Sequence, residues 1–255
     1  MKRRIIGISL LVALLATAIT GGTLAYLTDT DNAENTMVLG NVKIEQNEWE
    51  RDADGNLVAF TQEKDLYPAV NPSMQWGEAL DLEAQLGANG GEQKMFVEPN
   101  AVDKLITVKN TGHNDIYVRT LVALERGSVT LERFDEILGI NYYGAGWNIA
   151  SVVDTTIDGV NYQVLEFVFK GRNGENGVLA AGDITQPSLV QVYLDAISTN
   201  DDCAAIDGTG NGYYDILALS QAVQAEGWSD SMTALDTAFG DVTAAAATEW
   251  FEALN

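Results

Sequence analysis

The chain has 255 residues, 46% of them hydrophobic, with 14 basic against 37 acidic side chains and a formal charge of −23. That acidity, with no basic stripe to offset it, excludes nucleic acid and anionic membrane surfaces as partners, and the hydrophobic content excludes wholesale disorder. Cys203 is the single cysteine, so no intrachain disulfide can staple the fold.

The first 25 residues have the layout of a secretory signal. Lys2, Arg3 and Arg4 form a cationic end, residues 5–19 are an almost unbroken apolar run, and small residues lead to a cut after Ala25. The competing reading is a permanent anchor, since residues 5–27 are long enough to span a bilayer if Gly21 and Gly22 are tolerated. Cutting there removes three of the 14 basic residues and none of the 37 acidic ones, taking the formal charge from −23 to −26. Such a charge makes self-association sensitive to salt, pH and divalent cations.

Residues 26–41 read as a loose mature N-terminal extension, and residues 42–255 as one β domain with insertions near 71–93 and 198–213. A strand is expected around residues 37–46, with Val38, Val42 and Ile44 on one face and Gly40 weakening the pattern. Residues 52–56, DADGN, form a turn, residues 57–60 the returning arm of a hairpin, and Leu66-Tyr67-Pro68 ends that unit. The 71–93 insertion includes the helix-compatible run GEALDLEAQLG.

Residues 102–108 carry Val102, Ile106 and Val108 on one parity, and Thr111-Gly112-His113-Asn114 is a turn. The following DIYVRTLVALE places Ile116, Val118, Thr120, Val122 and Leu124 on one face and Tyr117, Arg119, Leu121 and Ala123 on the other, which is a strand. Residues 131–139 predict a short helix stopped by Gly139. Further strands are expected at 147–153, 162–170, 189–197 and 214–219, and short helices at 234–239 and 244–254 with Asp230 and Thr243 as caps. Ala247, Trp250, Phe251 and Leu254 make an apolar side on the last helix. Many short strands with turns between them and few helices predict a mainly β fold, a sandwich rather than a parallel α/β sheet. Ile116, Val118, Val122, Phe167 and Phe169 are expected in its core.

Motifs for catalysis are missing from the sequence. The single histidine, His113, sits in a turn; there is no HExxH helix, no GxSxG elbow and no phosphate-binding glycine loop. Enzyme activity is not expected. Cys203, beside Asp201 and Asp202, is disfavoured as a reactive thiolate. Asp52, Asp54 and Asn56 resemble the start of an acidic calcium loop, although the glycine is fourth rather than sixth, and residues 207–212, DGTGNG, have similar turn chemistry. Plain Asp-Gly turns compete with calcium at both places. No cofactor is required on this reading, and calcium is the one candidate.

Four segments carry a family likeness: GGTLAYLTDTDNAENTMVLGNVKIE (21–45), ITVKNTGHNDIYVRTLVALE (106–125), AGDITQPSLVQVYLD (181–195) and YDILALSQAVQAEGW (214–228). Together, and in this order, they resemble the SipW-dependent secreted proteins of the TasA/camelysin group, surface and biofilm-matrix proteins of Gram-positive bacteria. The resemblance implies a jelly-roll-like antiparallel β-sandwich with short peripheral helices, export, and cleavage by a dedicated signal peptidase. It further implies a structural subunit of an extracellular fibre or biofilm matrix, assembled head to tail by donor-strand exchange. That role maps onto residues 26 to about 40, with Tyr26, Leu27, Met37, Val38 and Leu39 as assembly residues. Some relatives are described as metalloproteases; this chain offers no motif for that activity. Residues 200–212, Cys203 and the 71–93 insertion are not accounted for by the family pattern. The alternative is a non-polymerising cell-surface or accessory module that binds glycan or a protein partner through exposed aromatics such as Trp49, Trp76 or Trp147.

Overall fold

The computed structural model describes residues 42–61, 64–69, 75–88, 91–97, 101–171 and 176–254, and the backbone of 28–32 and 35–36. The leader (1–25), Tyr26, Leu27, Met37, Val38, Leu39 and Gly40 lie outside the described residues.

Strand content exceeds helix content two to one, 39% against 19%, and all the named sheets are antiparallel, so the chain is mainly β as expected. The N-terminal strands are β1 (Thr28–Asn32) and β2 (Asn35–Thr36). Then come β3 (Ile44–Arg51), β4 (Leu57–Ala59), and a small hairpin of β5 (Leu80–Asp81) and β6 (Glu92–Gln93) around α1 (Leu82–Leu86). The middle of the chain holds β7 (Val102–Asp103), β8 (Leu105–Asn110), β9 (Ile116–Glu125), α2 (Leu131–Ile137), β10 (Leu138–Asn141), β11 (Trp147–Ile157) and β12 (Val160–Phe169). It closes with β13 (Val178–Leu179), β14 (Gln191–Leu194), α3 (Asn200–Ile206), β15 (Ile216–Gln224), α4 (Ser231–Phe239) and α5 (Ala244–Glu252).

Two layers result. The first is the order β11-β12-β9-β15-β1-β2, with β13 beside β9. The second joins β4-β3-β8 to β10-β14-β7, because the backbone of β8 also bonds to the segment leading into β14: Ile106 N–H to the Leu189 carbonyl, Thr185 N–H to Val108 and Asn110 N–H to Asp183. Side chains from both layers meet in one buried cluster, with Ile116, Val118, Val122 and Phe167 from the first and Ile44, Ile106, Val108 and Val192 from the second. Full burial of each is worth roughly 1.5–3 kcal/mol, and Ile116, Val118, Val122, Phe167 and Phe169, all at most 1% exposed, are core residues as expected.

β9 has the predicted alternation, yet all ten of its residues are buried. The reason is outside the strand. Its second face, Tyr117, Leu121 and Ala123, is covered by α4 and α5, whose Ala234, Leu235, Ala247 and Phe251 complete two smaller cores. Asp230 and Thr243 cap these helices as predicted, accepting from Thr233 and Ala246 N–H.

Gly139 does not stop α2. The helix ends at Ile137, its cap Leu138 turns extended (φ −103, ψ 124), and Gly139 lies in β10. A Cβ there would stand 2.2 Å from the Tyr193 ring, so the glycine serves cross-strand packing instead. The 198–213 insertion, read only as a glycine- and aspartate-rich stretch, contains α3, which starts in a capping box between Thr199 and Asp202. Gly127, at φ +54, lets the chain pass beneath it; a Cβ would be 2.3 Å from the Ala205 carbonyl.

Candidate functional site

The feature that bears on the expected donor segment is the edge of β15. One side of β15 is paired along its whole length with β9, from Ile216↔Leu124 to Gln224↔Ile116. On the other side β1 adds antiparallel over Thr28↔Val223, Asp29↔Ala222, Thr30↔Gln221 and Asp31↔Ser220. β2 then doubles back on β1, with Asp31↔Thr36 and Asn32↔Asn35. The N-terminal segment thus fills an edge that would otherwise present unpaired N–H and C=O groups. It covers only the second half of β15. Below it Gln46, from β3, bridges the layers: its Nε2 donates to the Ala218 carbonyl at 3.4 Å and its Oε1 accepts from Ser220 Oγ at 2.7 Å.

Past that bridge the two layers part into a cleft of about 400 Å³, open at the start of β15. One wall is the run Tyr213 to Ile216 that leaves the 198–213 insertion. Glu125, fully buried at the end of β9, accepts from Gly208 N–H (2.7 Å) and Thr209 N–H (3.3 Å) on one oxygen and from Asp215 N–H (2.9 Å) on the other. Burial pushes the Glu125 carboxyl pKa up, further raised by the Asp215 charge, and the three amide donors only partly oppose this. The Tyr214 hydroxyl is buried beside it without a hydrogen-bond partner among the described residues, and burial pushes that phenol well up. α3 is fastened from outside by Arg133, whose Nε and Nη2 grip the Asp202 carboxylate at 3.0 and 2.7 Å. That pairing, with the Thr199 N–H and hydroxyl, holds Asp202 well below the usual carboxylate range.

The calcium candidates lie apart from this site. Asp52, Asp54 and Asn56 are exposed, and Asp52 Oδ1 accepts from Asp54 N–H and Asn56 N–H, each at 2.9 Å. Asp207 is likewise directed at amides, accepting from Gly210 and Gly212 N–H at 2.7 Å and from Asn211 N–H at 3.2 Å. Among the described residues no three His, Cys, Asp or Glu side chains gather as a metal site.

His113 is exposed in its turn, and Cys203 is half-buried, its thiol pKa raised by burial and then by the Asp202 charge. The three tryptophans separate. Trp147 is 1% exposed, with Nε1 donating to the Gln186 carbonyl; Trp49 is half-buried and donates to Thr107; Trp76 is 52% exposed and stacks on Phe96 at 3.9 Å. Of the three, only Trp76 suits a surface contact.

Sequence reasoning missed Glu125 and Tyr213. Glu125 ends an apolar strand and looks like its solvated boundary, and Tyr213 follows a glycine-rich run that reads as a turn. No local signal marks either. No family model, curated protein or solved structure matches this chain.

Proposed function

We propose that this chain is a structural subunit of an extracellular fibre or biofilm matrix, polymerising by exchange of its N-terminal strand as in the TasA/camelysin proteins that it resembles. The observation that carries the reading is β1 on β15. A short strand near the start of the chain completes the edge of the main sheet through backbone pairing, in the register Thr28↔Val223 to Asp31↔Ser220. Backbone pairing of this kind is blind to whether the donor belongs to the same chain or to another copy. If β1 leaves its own β15 and occupies a neighbour's, each subunit donates at one place and accepts at another. Such a heterologous contact does not close and propagates a filament.

On this reading the apolar residues Tyr26, Leu27, Met37, Val38 and Leu39 of the N-terminal segment are its assembly residues. The formal charge of −26 on the processed chain opposes stacking of subunits, so assembly is expected to need salt, lowered pH or a divalent cation such as calcium. On this reading the protein is exported, cleaved by a signal peptidase and retained outside the cell of a Gram-positive bacterium through self-association or a matrix partner.

The test is negative-stain electron microscopy of protein beginning at Tyr26 beside protein beginning at Val42, each with and without calcium. Fibres from the longer form alone are expected. Fibres from both forms refute the strand-exchange mechanism. If neither form assembles, the non-polymerising surface module becomes the better reading, with exposed Trp76 as its first contact to mutate.

A further inference from the structure

The cleft at the start of β15 is built from parts that the fibre reading leaves unused. Its inner wall is apolar and comes from both layers, Val102 and Val192 from one and Ile216 from the other. Phe60 and Tyr213 flank it, and Tyr213 is 54% exposed although it is a large aromatic ring. Lys64, Lys104 and Asp215 add polar groups of both signs. A volume of about 400 Å³ falls in the usual range for a small-ligand site.

The wall is also held in place before any ligand arrives. Tyr213 N–H donates to Asn211 Oδ1 at 2.7 Å, Gly212 N–H to Asp207 at 2.7 Å, and Asp215 N–H to the buried Glu125 carboxylate at 2.9 Å. Backbone anchors on both sides of Tyr213 and Tyr214 hold the course of the chain that brings these two residues into the lining of the cleft. Rigid support of this kind lowers the ordering cost of binding.

Electrostatics narrows the ligand. Lys64 Nζ is already paired with Glu50 at 2.9 Å, and Lys104 Nζ with Glu48 while it lies 3.9 Å from the Phe60 ring centroid. With Asp215 beside them and a chain of −23, no cationic excess remains to hold an anion. What the cleft offers is an aromatic and aliphatic surface bordered by both donors and acceptors. That suits an uncharged ligand with apolar faces and a hydroxylated rim.

We propose that this cleft binds a neutral sugar unit of an extracellular or cell-wall glycan, with Tyr213 as the stacking platform and Asp215 and Lys64 as hydrogen-bonding partners. The site is independent of strand exchange, since β1 covers Ser220–Val223 and stops short of it.

The test is a glycan array spanning neutral and uronate-bearing oligosaccharides, probed with the purified full chain, followed by calorimetric titration of any neutral binder. Saturable binding of a neutral oligosaccharide is expected. Tyr213→Ala should weaken it roughly tenfold or more, with an unchanged melting temperature because the ring is half-exposed. Asp215→Asn should weaken it as well. The proposal is overturned by the absence of any neutral binder on the array, by preference for the uronate-bearing members, or by a neutral binder whose affinity Tyr213→Ala leaves unchanged.

Discussion

Arg119 is the sharpest point at which to test the packing of the two C-terminal helices. It projects from β9, is 0% exposed, and all three of its guanidinium nitrogens are used. Nε donates to Gln221 Oε1 (2.8 Å), Nη1 to Glu166 (3.1 Å) and Asp236 (3.2 Å), and Nη2 to the Gly240 carbonyl (3.0 Å). The Phe239 and Trp250 rings lie 5.7 and 5.1 Å away. Burial lowers the Arg119 pKa, and Glu166 and Asp236 oppose that shift. Replacing Arg119 with Met keeps most of the aliphatic volume and removes the charge, leaving Glu166, itself 2% exposed, with Ser151 Oγ at 2.8 Å as its remaining side-chain partner among the described residues. An orphaned buried charge of this kind costs about 3–5 kcal/mol, and for a chain of this size that is a fall of about 6–20 °C in melting temperature. The intact pair is not itself worth that much, because desolvation offsets most of its attraction. Adding Glu166→Gln to Arg119→Met should therefore recover about 1–3 kcal/mol rather than cost more. Urea unfolding followed by circular dichroism measures both. A loss below about 1 kcal/mol for Arg119→Met, or an additive second loss, would refute the reasoning.

Glu125→Gln should destabilise the protein by about 1–3 kcal/mol, because one end of the amide must turn an N–H toward backbone donors; hydrogen exchange at Gly208, Thr209 and Asp215 should accelerate while that of β12 stays unchanged. Stability should also fall in acid through the helix caps. Asp202, held down by Arg133, and Asp230, held down by the Thr233 amide, have folded pKa values below the ordinary 3.8, so their contribution is complete above that value and is lost as pH falls through the depressed ones. Urea midpoints taken between about pH 5 and pH 2 should decline, and Asp202→Asn should flatten that decline; an equal slope in the variant would rule out the Arg133 clamp as its source.

Local sequence was informative wherever a segment's own periodicity or end chemistry decides its state. The two-residue alternation of residues 116–125 predicted β9, and Asp230 and Thr243 announced α4 and α5, because a cap needs only an amide two or three residues on. Tyr214 to Leu219 was read as a strand but stopped five residues short of the end of β15. The run SQAVQ looks too polar for a strand, yet in the buried interior Ser220 bonds to Thr120 and Gln46, and Gln221 to Arg119.

By itself, then, the sequence determined the fold class, the inward face of β9 and the helices that end the chain, all of which follow from burying apolar side chains at strand or helix spacing. Only the tertiary structure decided that Arg119 is buried, that Glu125 holds a loop more than 80 residues away, and that β1 lands on β15. Those outcomes depend on which distant groups meet. Arg119 reaches Asp236 across 117 residues and Gly240 across 121, and no local pattern in the strand encodes a partner at that range. The cleft beside Tyr213 is of the same kind, a gap left where two layers and an insertion meet, and it exists only once all three are in place.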